Sequence, residues 1–360
     1  MECGIVGLPG VGKTTLFSAL TGNRAGLGGA AAGGGKPNIG VAHVPDPRLK
    51  IIASFIPTKK IVPASIQFVD IPGVPPGGEA SKLNNFLSHV RKVDAVCHVV
   101  RCFDDGSGLQ GIDAAGDIDR MDTELVLADL IVAESAIDKA KRAARTGDAE
   151  NKARVAVLEK VLAALNDGKP IRSILADGLS DAEQAILRSY GMITSKPVLY
   201  VANVGEDDLA GQSAAVAAVR AHAAATGSQS VVLCAKLEAE LSELDDADRD
   251  EMLQSMGLAE PASGPMARAV YALLGLSSFY TAGEKEVRAW TIRTGSSAPE
   301  AAGAIHSDIE RGFIRAECYH VDDLVAYRTE KAIRDAGKLR SEGKNYRMRD
   351  GDVVHFLFNV

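Results

Sequence analysis

Apolar positions first gather at the N-terminus, where Ile5 and Val6 end a short strand. A glycine-rich turn follows, then KTTLFSALTG, a helical pattern that stops at Gly22. SIQFVDIPG (65–73), AVCHVV (95–100), KPVLYVAN (196–203) and SVVLCAK (230–236) are further apolar runs ending at polar, Gly or Pro residues. Strands of this kind alternating with helices predict βαβ units and an α/β fold with a mostly parallel sheet. Between Ala25 and Gly35 nearly every residue is Gly or Ala, which predicts a mobile loop. Near Asp117 the period changes. Ile118, Met121, Leu125, Ala128, Val132 and Ser135 alternate spacings of three and four, a heptad stripe. After a turn at RTGDAE, Val155, Leu158, Leu162 and Leu165 repeat it. The stripe predicts an antiparallel helical hairpin inserted between strands; it also suits two more helices layered on the sheet. From Phe279 onward the pattern is that of a small α+β unit. EVRAWTIRTG reads as a strand and turn, APEAAGAIHSDIERGF as helix, and VVHFLFNV as a strand with Val354, Phe356, Phe358 and Val360 on one face.

The length of 360 residues admits two or three such domains. With 46% hydrophobic and 24% charged residues the composition is that of a soluble globular protein. No apolar run reaches the ~20 residues of a membrane span, and no basic stretch precedes the first apolar residues, so a cytoplasmic protein without a signal peptide is expected. Five scattered cysteines without a C-x-x-C pair predict buried thiols rather than zinc or disulfides. The net charge of −7 argues against a general nucleic-acid coat. Yet residues 311–349 hold ten Lys/Arg against six Asp/Glu. This local excess suits RNA contact through Arg311, Arg315, Lys338, Arg340 and Lys344, or a solvated mixed-charge surface.

GLPGVGKT, Gly7–Thr14, matches G-x-x-x-x-G-K-[ST] between a strand and a helix. The nucleotide-binding candidates here are Gly7, Pro9, Gly10, Val11, Gly12, Lys13, Thr14 and Thr15. Their backbone amides and the helix N-terminus can cradle phosphate, Lys13 can meet the β- and γ-phosphates, and Thr14 can offer a hydroxyl to Mg2+. DIPG (70–73) ends a later strand, so Asp70 is the second candidate for Mg2+ and Gly73 a donor to a γ-phosphate. No catalytic residue is evident. Val74 stands where a glutamine would orient the attacking water, which predicts hydrolysis that is slow or uses another group. His89 and His98 are expected to be structural. A GTPase would carry Asn-Lys-x-Asp at the strand end after Val198; here the residues are Asn203, Val204, Gly205 and Glu206. Glutamate displaces the carboxylate that would accept from guanine, so adenine becomes admissible. Asn203 can fix the loop and reach the ring N7. Cys234, Ala235 and Lys236 stand in the place of the Ser-Ala-Lys loop that backs the base.

These stretches, with DPRL, HVVRCFDD, LEAEL, FYTAGEKEVRAWTIRTG, GAIHSDIERGFIRAE and DGDVVHFLFNV, together resemble the YchF/Obg-like ATPase family across nearly the whole chain. The resemblance implies a P-loop G-type domain in two parts, 1–116 and 191–277. It also implies a coiled-coil insertion at 117–190 and a C-terminal ubiquitin-like (β-grasp) TGS domain at 278–360. It implies a cytoplasmic, monomeric ATPase with weaker use of GTP that needs Mg2+, contacts the ribosome including its rRNA, and switches with nucleotide state. Asn203, Val204 and Glu206 would belong to the adenine pocket, backed by Cys234, Ala235 and Lys236. Three departures stand out. Gly10 replaces an Asn associated with a helper monovalent cation; the residues before Pro37 lack the first-switch threonine; and VPPGGEASKLNN after DIPG is shorter and proline-stiffened. Two other readings of the residues remain: a GTP-using Obg-type factor, and a nucleotide-sensing interaction module with negligible turnover.

Overall fold

The computed structural model describes residues 1–22, 37–73, 80–104, 106, 111–145, 148–176 and 179–359. The Gly/Ala loop expected at 25–35, Val74 and Val360 lie outside the described residues. From the N-terminus the chain forms β1 (Glu2–Val6), α1 (Lys13–Thr21), β2 (Asn38–His43), α2 (Pro47–Phe55), β3 (Ile61–Val62), β4 (Ser65–Asp70), α3 (Ala80–Lys92) and β5 (Ala95–Cys102). Two long helices follow, α4 (Ala114–Ala144) and α5 (Ala149–Asn166), then α6 (Ile171–Ala176) and α7 (Asp181–Arg188). The chain continues through β6 (Val198–Val204), α8 (Ala214–Ala225), β7 (Gln229–Leu233), α9 (Ala235–Glu243), α10 (Asp246–Ser255) and α11 (Ser263–Leu273). It ends with β8 (Leu276–Ala282), β9 (Val287–Arg293), α12 (Ala298–Ile305), α13 (Ser307–Arg311), β10 (Phe313–His320), α14 (Val321–Tyr327), α15 (Glu330–Asp335), β11 (Arg340–Glu342) and β12 (Asp352–Phe358). Two compact units result: Met1–Val41 with Gln67–Met266, and Ala42–Ile66 with Ala267–Val360.

In the first unit the strand order is β2-β4-β1-β5-β6-β7. β1 runs parallel to β4 and β5, and β6 runs parallel to β5 and β7. Every residue of β6 is buried, as a parallel strand covered on both faces requires. The five cysteines are free and buried, which is what their scatter predicted. No described helix is long and apolar enough to cross a membrane.

The heptad stripe is half a hairpin and half a sheet layer. Ile118, Met121, Leu125 and Ala128 pack into the core beside β5 and β6. Val126 and, farther along, Ala133, Ile137 and Ala140 turn toward Val157, Leu158, Val161 and Leu165 of α5. Val132 is therefore only half-buried and Ser135 is exposed, against the expectation from the stripe. A helix of 31 residues is about 46 Å long, and its apolar face shifts where its packing partner changes. Asp129 sits at that change with no solvent exposure. It accepts from the amides of Ile193 (2.9 Å) and Thr194 (2.7 Å) and from the Thr194 hydroxyl (2.8 Å), pinning the return of the chain to α4.

In the second unit the strand order is β11-β10-β12-β8-β9-β3. The β8–β9 and β10–β12 pairs are antiparallel, and β12 meets β8 in parallel. Phe279, Ile292, Ala301, Ala302, Cys318 and Phe356 form its core. Val354 and Phe356 point inward as expected, whereas Phe358 is exposed. The helix expected over APEAAGAIHSDIERGF breaks at His306, whose extended backbone starts α13 and whose Nδ1 accepts from the Asp308 amide. Residues 42–66 group with this unit rather than with the sheet domain that the sequence boundaries placed them in. Their anchors are specific. β3 pairs with β9, and Asp46 caps α2. Arg48 bridges Asp46 (2.9 Å) and Asp350 (2.5 Å), Tyr280 donates to Asp46, and Asp350 accepts from the Ser278 amide.

Asp129→Ala strands two buried amides and a hydroxyl. The expected loss is about 2–4 kcal/mol of unfolding free energy, read by denaturant titration. A loss within error of wild type would contradict the pinning role.

Candidate functional site

The loop between β1 and α1 is shaped by what leaves room for it. Gly12 precedes α1 with φ 91°, a left-handed backbone that disfavours side chains. A Cβ there would also strike the side-chain amide of Asn203. No side chain caps α1 and no acidic residue occupies its first turn, so its free amides and positive dipole end face the loop. Gly73 approaches from the end of β4. A Cβ on it would lie 2.7 Å from the Gly7 carbonyl oxygen and 2.8 Å from Lys13 Nζ. Gly7, Gly12, Lys13 and Gly73 thus converge; Pro9 and Gly10 are exposed at the rim, Val11 is buried beneath, and Thr15 is half-buried on α1.

Lys13 is 8% exposed and donates to the Leu8 carbonyl at 2.7 Å. Burial lowers its pKa to about 8, with Asp70 pulling the other way. Asp70 is also buried; burial raises its pKa, opposed by hydrogen bonds from Thr14 and Asn38 and by the charge of Lys13. The Thr14 hydroxyl donates to Asp70 Oδ2 at 3.0 Å, so the two expected metal-binding groups already touch. A buried carboxylate with a hydroxyl beside it is a hard-oxygen donor set. It suits Mg2+, which takes one or two protein ligands and completes its shell with phosphate and water. Asn38 was not anticipated. The sequence showed only that a threonine was missing before Pro37, and Asn38 reaches Asp70 because β2 lies beside β4.

The second wall comes from the ends of β6 and β7. Asn203, 3% exposed, is a brace: its Nδ2 donates to the Val11 carbonyl at 2.9 Å and its Oδ1 accepts from the Ala235 amide at 2.8 Å. Cys234 precedes α9, buried, its thiol pKa raised by that burial. Val204 departs from the expected role: it is 2% exposed inside the sheet core, so only its main chain can face a ligand. Glu206 and Lys236, both exposed, form an ion pair at 2.7 Å across thirty residues of sequence.

His98 is buried in β5 against Tyr200, and burial drops its pKa to about 4, a neutral structural residue at pH 7. On the second unit, three of the five residues considered for RNA are engaged within the chain. Arg311 pairs with Asp308 and Arg315 with Glu317. Arg340 corrects the expectation most clearly: it holds the fully buried Asp352 at 2.7 Å and is structural. Lys338 and Lys344 are exposed.

A 50S ribosome-binding GTPase model matches residues 2–160, and the YchF-GTPase_C model, described as a protein of unknown function, matches residues 276–359. The chain is 44% identical to the ribosome-binding ATPase YchF of Escherichia coli O157:H7, covering 100% of this chain and 99% of that one. It is 42% identical to that of Bacillus subtilis, covering 100% of both. The chain belongs to the YchF family. Among solved structures, the YchF GTPase of Schizosaccharomyces pombe superposes with a TM-score of 0.86 at 30% identity, covering 99% of this chain and 97% of that one. The YchF-specific C-terminal match begins at β8 and does not include residues 42–66, although these group with it in space.

Asn203→Ala deletes both bracing bonds. It should cost about 2–3 kcal/mol and speed hydrogen exchange at the Ala235 amide; unchanged exchange there would refute the brace.

Proposed function

We propose that this protein is a cytoplasmic, ribosome-binding nucleoside triphosphatase that takes ATP in preference to GTP, needs Mg2+, and acts as a slow nucleotide-dependent switch. The observation that carries the reading is the convergence of Lys13, the Thr14–Asp70 pair and Gly73 around free helix amides. Full-length likeness to ribosome-binding ATPases of the YchF family supports it. On this reading Lys13 neutralises the β- and γ-phosphates, the loop amides and the α1 dipole hold their oxygens, and the Gly73 amide meets the terminal phosphate. Thr14 and Asp70 would hold Mg2+, which would supply neutralisation of phosphate charge. Asn38 keeps Asp70 oriented. The base would sit between residues 203–206 and 234–236, with Glu206 turned toward Lys236 instead of toward a guanine edge. The C-terminal strands with α12 are read as the β-grasp TGS module.

A second reading, nucleotide sensing with negligible turnover, is favoured by His98. It is buried against Tyr200, and burial lowers its pKa to about 4, which leaves it a weak base at neutral pH.

Titration with labelled nucleotides should give tighter binding of ATP than GTP; GTP binding at least tenfold tighter, about 1.4 kcal/mol, would sink the base choice. Phosphate release should be slow and rise with ribosomes. No release under either condition, with binding intact, would leave the sensor reading. Binding should also depend on pH. The amine of Lys13 ionises near pH 8 when no phosphate is present. A triphosphate requires the charged form, so above that pH affinity should fall about tenfold per unit. The Lys13 contribution should stay flat below pH 7, and Lys13→Met should abolish the slope above pH 8.

A further inference from the structure

The helical hairpin carries an apolar groove that the nucleotide site does not explain. It has a volume of about 530 Å³ and is lined among others by Ile131, Val132, Ala136, Lys139, Arg154 and Tyr190. Ile131 is 70% exposed and Leu127, one turn earlier, 50% exposed. Large aliphatic groups held this far into water on a rigid helix mark a surface shaped for a partner. The floor is low because Ala136, Ala140 and Ala143 follow one another at helical spacing where α4 runs beside α5. A ridge of larger side chains from another helix can settle into such a floor.

Charge indicates what kind of helix. Among the described residues no acidic side chain lines the groove, whereas Lys139 and Arg154 do. Over the span that lines the groove, from Ile131 to Arg154, the sequence holds six Lys/Arg against four Asp/Glu, on a chain whose net charge is −7. Arg154 pairs with Glu150, but both are exposed, and such a pair is worth about 0–1 kcal/mol and exchanges readily. An aliphatic floor offers nothing to a phosphate or a base edge, which are bound by cations and hydrogen bonds. It does bury against Leu, Ile or Met of an amphipathic helix.

We propose that this groove docks an acidic amphipathic helix of a ribosomal protein. The proposal rests on the ribosome-binding reading above and names the chemistry of one contact within it. The full-length chain with p-benzoylphenylalanine in place of Ile131 is irradiated with purified 70S ribosomes of Bacillus subtilis. The expected adduct survives ribonuclease and is destroyed by protease. In co-sedimentation, Ile131→Asp and Lys139→Glu should each weaken ribosome affinity about tenfold. Lys139→Arg should restore it, with melting temperature and ATP binding unchanged throughout. An adduct to rRNA overturns the proposal. So does ribosome association that persists without any protein adduct and is indifferent to both substitutions; in both cases the function reading stands. If the wild-type chain fails to co-sediment, that reading falls, and this proposal falls with it.

Discussion

The side-chain amide of Asn203 is the constraint on which the rest of the site depends. It lies at the end of β6, held in register between Arg101 of β5 and Leu233 of β7. From there it ties the Val11 carbonyl of one loop to the Ala235 amide of another. Because it is almost completely buried, neither bond can be exchanged for water, and losing either would cost a desolvated polar group. The amide also fills the space beside Gly12, so the glycine is needed both for its left-handed backbone and for its missing Cβ. The loop ahead of α1 and the start of α9 therefore behave as one body, and α1 and α9 pack side by side behind it. A ligand that fits this body does not have to order it first, which is the energetic advantage of preorganisation.

Much of this was legible in the chain, and the reason is locality. A strand, a glycine turn and a helix with Lys-Thr at its start are set by neighbouring residues, as are the strand ends at Asp70 and Asn203. What was not legible depends on partners distant in sequence. The α4 stripe reads as one heptad face, yet its apolar side rotates because the first half has the sheet for a neighbour and the second half has α5. Nothing inside residues 114–144 announces where that exchange occurs. Val204 occupies a motif position but faces the core, a consequence of strand pleat rather than of motif spacing. Asn38 matters only because β2 is placed beside β4. Residues 42–66 follow the same rule: their ties run to Tyr280 and Asp350, hundreds of residues away.

The electrostatics of the site favour an anion before any anion is considered. Lowering Lys13 from 10.5 to about 8 represents about 3 kcal/mol held against its charged form. Burial acts on Asp70 in the opposite sense and is only partly offset by Thr14, Asn38 and Lys13. Each group is thus kept in a state that a multivalent ligand would relieve, a phosphate for the ammonium and a cation for the carboxylate. A site arranged in this way gains affinity from removing an existing penalty as well as from forming new contacts.

The same magnitudes limit what the Glu206–Lys236 pair can decide. Both side chains are largely exposed, at 48% and 73%, so the pair is worth about 0–1 kcal/mol. A tenfold choice between purines needs about 1.4 kcal/mol. Lys236 by itself therefore cannot set the preference proposed here. On the proposed reading the larger share would come from Glu206 itself: one methylene longer than aspartate, it would no longer place a carboxylate opposite the two guanine donors. A hydrogen bond to a charged group contributes about 1.5–3 kcal/mol, so losing one is of the required size. On this argument the lysine biases a carboxylate that is already misplaced, and the base choice lies in the length of one side chain.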